Sequence, residues 1–173
     1  TLFEKELKEL KEKKEKKEAL LEDEKARLMF VGVPPLFNMQ LLDSVERYGA
    51  VFVTEMLECA TGGAFDPSYI DPEKPLESLA YKLLTDILNP ITTNMIEHVV
   101  QDVKDFKIDG VVSVVKRSCC LIHGFLRQTK DAVYKETGVP TTIFDLDGID
   151  SREYDDVAIS SKLDSFIEAL IAS

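Results

Sequence analysis

The most reactive side chains in the sequence are three cysteines, Cys59, Cys119 and Cys120. Two of them close the run Lys116-Arg117-Ser118-Cys119-Cys120, which follows an apolar β-branched stretch and precedes a helical period. A thiol at such a boundary faces unpaired backbone N–H groups and the positive end of a helix dipole, and Lys116 and Arg117 add positive charge. Both effects favour thiolate, the form that binds metal or attacks electrophiles. Cysteine is equally at home as a small core residue, so the local sequence leaves both roles open. Adjacent side chains diverge, so Cys119 and Cys120 are not expected to ligate one iron together. Cys59 lies in an aperiodic stretch, 57–75, with Gly62-Gly63 and three prolines. Loops of that length in a compact domain are usually functional or mobile. With no CxxC spacing to support a self-contained metal site, Cys59 reads as a structural thiol, although its loop can approach Cys119. His98 and His123 lack ligand-like neighbours, which argues against zinc.

Other chemistries find little support. There is no GxGxxG, no Walker loop and no GxSxG in the sequence, so no glycine fingerprint marks a nucleotide site or a serine nucleophile. Asp145-Leu146-Asp147-Gly148 looks like the first motif of haloacid-dehalogenase-type phosphatases. That family needs further strands downstream, and the residues after Gly148 read as one loop and one helix. A turn with an Asp cap for the following helix accounts for the same residues.

The elements that must position these groups begin near residue 26. Residues 4–25 hold eight Lys and nine Asp or Glu, and every residue from 11 to 18 is charged. Phe3, Leu7 and Leu10 share one helical face, and alternating Glu and Lys support a solvated helix. Residues 1–25 are therefore expected to form a charged connector helix, and 26–173 an α/β domain. The 173 residues are 45% hydrophobic, enough for one domain with a real core. The net charge of −11 repels phosphate backbones, so nucleic-acid binding is disfavoured. No apolar run approaches the roughly 20 residues that span a membrane. No secretory segment opens the chain, and an odd cysteine count without framework spacing argues against a disulfide scaffold. Reduced thiols in a cytoplasm are the expectation. The start at Thr1 suggests a cut piece of a longer protein.

Apolar, β-branched runs at 28–31, 50–53, 111–115 and 141–144 read as strands covered on both faces, as in parallel sheets. Helical stripes fall between them. They are Phe37, Leu41, Val45 and Tyr48, then Leu76, Leu79, Ala80, Leu83 and Ile87, and then Ile96, Val99, Val100, Val103 and Phe106. A fourth holds Leu121, Phe125, Ala132 and Val133, and the last Leu163, Phe166, Ile167, Leu170 and Ile171. The order β-α-β-α-α-β-α-β-α predicts an open doubly wound parallel sheet of about four strands, three-layered and flavodoxin- or Rossmann-like. Ligands of such sheets bind beyond the carboxyl ends of the strands. Gly32-Val33-Pro34-Pro35, the segment 54–59, Lys116-Arg117-Ser118-Cys119-Cys120 and the segment 145–150 all fall on that rim, which predicts a site there.

Several of these segments follow one another in a recognisable order. They are Gly32-Val33-Pro34, Glu46-Arg47-Tyr48-Gly49-Ala50-Val51, Ile108-Asp109-Gly110-Val111-Val112, Lys116-Arg117-Ser118-Cys119, Gly138-Val139-Pro140, the loop Asp145-Leu146-Asp147 to Asp150, and Lys162-Leu163-Asp164-Ser165-Phe166-Ile167-Glu168-Ala169-Leu170. Over 26–173 the chain resembles the C-terminal α/β domain of the 2-hydroxyacyl-CoA dehydratase and benzoyl-CoA reductase family, with an Arg-Ser-Cys form closer to the reductase branch. The resemblance implies an oxygen-sensitive [4Fe-4S] enzyme. Cys119 would be one cluster ligand, the others coming from a preceding domain. It further implies a CoA-thioester substrate, ketyl-type one-electron chemistry, a second homologous subunit and an ATP-dependent activator protein. The family's Arg near the start of the last helix has no counterpart at 160–163, and Cys120 duplicates the ligand position. Three cysteines cannot rebuild the family's site, so this piece alone is expected to be inactive. The rival expectation is a non-catalytic binding or assembly module with structural cysteines.

Overall fold

The computed structural model describes residues 1–16, 18, 21–56, 67–85, 92–116, 119–146 and 150–172. Helix α1 (Leu2–Lys16) opens the chain and buries none of its residues. Strand β1 (Ala26–Gly32) follows, then a short helix α2 (Gln40–Asp43) that tightens into a 3₁₀ turn (Ser44–Tyr48), then β2 (Ala50–Glu55). Helices α3 (Pro75–Thr85) and α4 (Thr92–Asp105) lead to β3 (Gly110–Lys116), α5 (Cys120–Thr137), β4 (Thr141–Leu146) and α6 (Asp156–Ala172). The sheet order is β2-β1-β3-β4, and every pairing is parallel.

Both faces of this sheet are covered, which is why its strands read as unbroken apolar runs. Met29, Val31, Val111 and Val115 point to one face and pack with Val99 and Val103 of α4 and Phe125, Leu126 and Val133 of α5. Leu28, Phe30, Val112, Val114, Phe144 and Leu146 point to the other, against Leu41, Val45, Leu163 and Ile167. Register pairs such as Phe30 with Val112 keep the two sets in step across neighbouring strands. The result is a three-layer doubly wound α/β fold.

Three helices depart from their periodicity. The stripe starting at Phe37 yields an α-helix of only four residues, because Met39 supplies no side-chain cap and the turn tightens before Gly49 stops it at φ 79°. Phe106 lies beyond the end of α4 and is 42% exposed. Helix α3 forms, yet Leu76, Leu79 and Leu83 are exposed, and its buried residue is Ser78. The Ser78 hydroxyl donates to the carbonyls of Asp71 and Lys74 and accepts from the Asp71 N–H. Ile87 of the expected stripe lies outside the described residues. Among the described residues, no helix is long and apolar enough to cross a membrane.

Candidate functional site

The topology picks one place on the rim. From β1 the chain turns through α2 on one face to reach β2 at the edge. From β3 it turns through α5 on the other face to reach β4 at the opposite edge. Neighbours β1 and β3 therefore send their following segments to opposite faces, the topology that in open α/β sheets leaves a crevice beyond the carboxyl ends of the strands. Open α/β sheets bind ligands at such a switch point.

One wall of this crevice is the segment 33–39 after β1, in which Pro34 and Pro35 are buried. Two adjacent prolines fix their own φ angles, so this wall is stiff. The other wall starts at Cys119, the N-cap of α5, in extended conformation with φ −111° and ψ 96°. Its side chain makes no cap hydrogen bond. Cys119 is half-buried and Cys120 exposed, and both are free thiols. The 18-residue α5 points the N–H groups of its first turn towards the crevice, a favourable setting for negative charge.

The remaining expected rim residues are distributed as follows. Lys116 closes β3, while Arg117 and Ser118 lie outside the described residues, as does Cys59. Thr54 and Glu55 belong to β2, and Asp145 and Leu146 to β4. Asp147 and Gly148 are outside the described residues. Asp150 provides the acidic cap, accepting from the backbone N–H of Arg152 at 3.0 Å and pairing with its guanidinium. Those hydrogen bonds hold the Asp150 carboxyl down at about 2. The described residues after β4 form a 3₁₀ turn and α6, with no strand to carry later phosphatase motifs. His98 and His123 are both exposed on their helices. Among the described residues no three His, Cys, Asp or Glu side chains group to hold a metal ion.

Sequence reasoning missed one cluster on the rim. Asn38 Nδ2 donates to Tyr154 Oη and to Asp156 Oδ1, each at 3.1 Å. The Phe37 ring meets the Tyr154 ring edge-on, with centroids 5.0 Å apart. Burial, and beyond it the Asp156 carboxylate, push the Tyr154 phenol above its ordinary value, so it stays protonated. These residues sit in no motif, and 116 positions separate Asn38 from Tyr154. Only the folded sheet brings them together.

Comparison with known proteins adds a lineage to this geometry. The family model described as "2-hydroxyglutaryl-CoA dehydratase, D-component" matches residues 1–170. The match thus includes α1, ahead of the stretch in which the motifs were recognised. An (R)-phenyllactyl-CoA dehydratase alpha subunit from Clostridium sporogenes is 33% identical over 64 residues, covering 37% of this chain and 16% of that protein. The (R)-2-hydroxyglutaryl-CoA dehydratase subunit alpha of Acidaminococcus fermentans is 30% identical over 71 residues, 41% of this chain and 15% of that one. The chain thus matches about one sixth of the length of these curated relatives.

Proposed function

We propose, because this chain belongs to the 2-hydroxyglutaryl-CoA dehydratase D-component family, that it is part of an iron–sulfur subunit of a 2-hydroxyacyl-CoA dehydratase-type lyase. In this reading residues 26–173 are the C-terminal α/β domain of a longer chain and 1–25 the connector leading into it. A benzoyl-CoA reductase-type activity is the variant that the Arg-Ser-Cys form favours. The observation that carries the reading is Cys119, a half-buried thiol without a cap bond beside the switch-point crevice.

The donor set fits one ligand of a shared [4Fe-4S] cluster. Cys119 is a soft sulfur donor whose side chain makes no cap hydrogen bond, at the N-terminus of α5. Three more ligands would come from outside the described residues, since no metal-holding group of three is found among them. The cluster, when bound, supplies single electrons at low potential for ketyl-type chemistry on a CoA thioester. The chain's own part is to hold that group at Cys119 and to wall the crevice with buried Pro34 and Pro35. A stiff, water-poor wall protects a reactive radical from side reactions. A second homologous subunit, an ATP-dependent activator protein and a cytoplasmic setting complete the reading. The naming of both relatives as alpha subunits supports the second subunit.

Anaerobic expression of the complete subunit, with iron and acid-labile sulfide measured beside Cys119→Ser and Cys120→Ser, tests it. Near-stoichiometric cluster in the parent and in Cys120→Ser, lost in Cys119→Ser, is the expected result. No iron in any of the three overturns the reading and leaves a non-catalytic assembly module.

A further inference from the structure

Two segments of the rim come from distant parts of the chain and are tied at one point. The segment 33–39 leaves β1, and the segment 150–155 leaves β4 and enters α6. Asn38 commits its amide nitrogen to both Tyr154 and Asp156. The Asp156 carboxylate also acts on the Tyr154 phenol, so the three side chains converge at one point. Asp156 lies in the first turn of the 17-residue α6, where a carboxylate is favoured by the helix dipole. Phe37 closes the apolar side of the same junction against the Tyr154 ring.

We propose that Asn38, Tyr154 and Asp156 form a latch that positions the β1 wall of the crevice opposite Cys119. The inference rests on the crevice reading above. The wall is anchored at its start by β1, whose last residue pairs with Val114 of β3. Its far end is anchored by Asn38. Between those two points the backbone is held by the buried prolines and by one turn, in which the Asn38 N–H donates to the Pro35 carbonyl at 2.8 Å, and no helix follows until α2 at Gln40. Releasing Asn38 frees the wall to swing away from β3, while α5 keeps its own packing through Phe125 and Leu126 on the opposite face. The three residues are positioning residues. They set the width of the crevice and so the access that solvent and substrate have to the Cys119 thiol.

Cys120 supplies an internal control, because it is exposed one residue away on α5. The test uses the complete subunit in cluster-free form, labelled with iodoacetamide. Fragment-ion mass spectrometry reads the extent of alkylation at Cys119 and Cys120 separately. Tyr154→Phe keeps the ring and removes the hydroxyl, and Asn38→Ala removes the amide. Tyr154→Phe, which leaves the bond from Asn38 to Asp156, is expected to raise the Cys119-to-Cys120 rate ratio about fivefold, the factor a local opening gains on losing one ordinary hydrogen bond, and Asn38→Ala, which removes both bonds, is expected to raise it further. The double variant is expected to go no further than Asn38→Ala alone, because removing the amide already breaks both of its bonds. An unchanged ratio in both variants overturns the proposal. So does a parallel rise at both cysteines with a lowered Tm, which marks general loosening. If one variant fails to fold, the other decides. The readout needs no iron, so a failed cluster measurement and a failed latch are separate results.

Discussion

Gly32 ends β1 with its backbone against that of Val114, and a Cβ at Gly32 would lie 2.5 Å from the Val114 carbonyl oxygen. Its φ of +123° is also one that side chains rarely adopt. The obstacle is backbone in the middle of a sheet, which cannot step aside. Gly32→Ala is therefore expected to cost about 2–3 kcal/mol or more, from strain plus the clash. Urea unfolding with an unchanged m-value checks it. Gly110→Ala should cost less, because the added methyl meets the ends of the Leu170 and Phe166 side chains, which can shift.

Leucines of similar sequence appearance should separate sharply. Leu126 is 1% exposed in the core beneath α5, whereas Leu79 of α3 is 54% exposed. Leu126→Ala is expected to cost about 2–5 kcal/mol through lost burial and a cavity. In the isolated chain Leu79→Ala should stay within about 0.5 kcal/mol. Parallel chemical denaturation of both variants measures the contrast.

Arg47 and Asp164 join the 3₁₀ turn to α6, with Arg47 Nη2 donating to both carboxylate oxygens at 2.6 Å. The guanidinium also lies over the Tyr48 ring, 5.0 Å from its centroid. The Arg47 side chain is nevertheless 54% exposed. Solvent screening then keeps the expected loss in Arg47→Ala small. The difference should shrink when stability is measured again in high salt.

Acid should act on Asp150 late. Its side-chain bonds to Arg152, then the Arg152 backbone N–H, hold it at about 2, below the ordinary 3.8. A depressed carboxyl stabilises the fold fully above the ordinary value and loses that contribution as pH falls towards about 2. Arg152→Ala should return the titration towards 3.8, as read by carboxyl NMR.

Alkali should act on Tyr154 in the opposite sense. Its phenol is raised above 10.0, chiefly by burial. Its neutral form therefore contributes fully below the ordinary tyrosine value, and the contribution fades as pH climbs past it. Ultraviolet titration should show one late-ionising tyrosine that is missing in Tyr154→Phe.

The sheet was legible because both its faces are covered. Runs such as Val111 to Val115 stay apolar through both alternating positions, and that pattern separates a buried parallel strand from a half-exposed one. The position of Cys119 between a strand and a helix was equally readable from its flanks. Periodicity could not say what a stripe packs against, so Leu76, Leu79 and Leu83 looked like core and stand exposed. It also overstated the helix after Phe37, where capping decided the length. The Asn38–Tyr154 contact leaves no local trace, since each residue is ordinary in its own neighbourhood.

The sheet order also sets a timetable for synthesis. The two central strands, β1 and β3, are neighbours in space, and the bond from the Arg27 N–H to Asp109 spans 82 residues. At about 5–20 residues per second, roughly 4–16 s pass between the emergence of β1 and that of its central partner. Through that interval Leu28, Met29, Phe30 and Val31 have only the edge strand β2 to pair with. An apolar strand half-paired for seconds keeps one edge open to pairing with other chains through that interval.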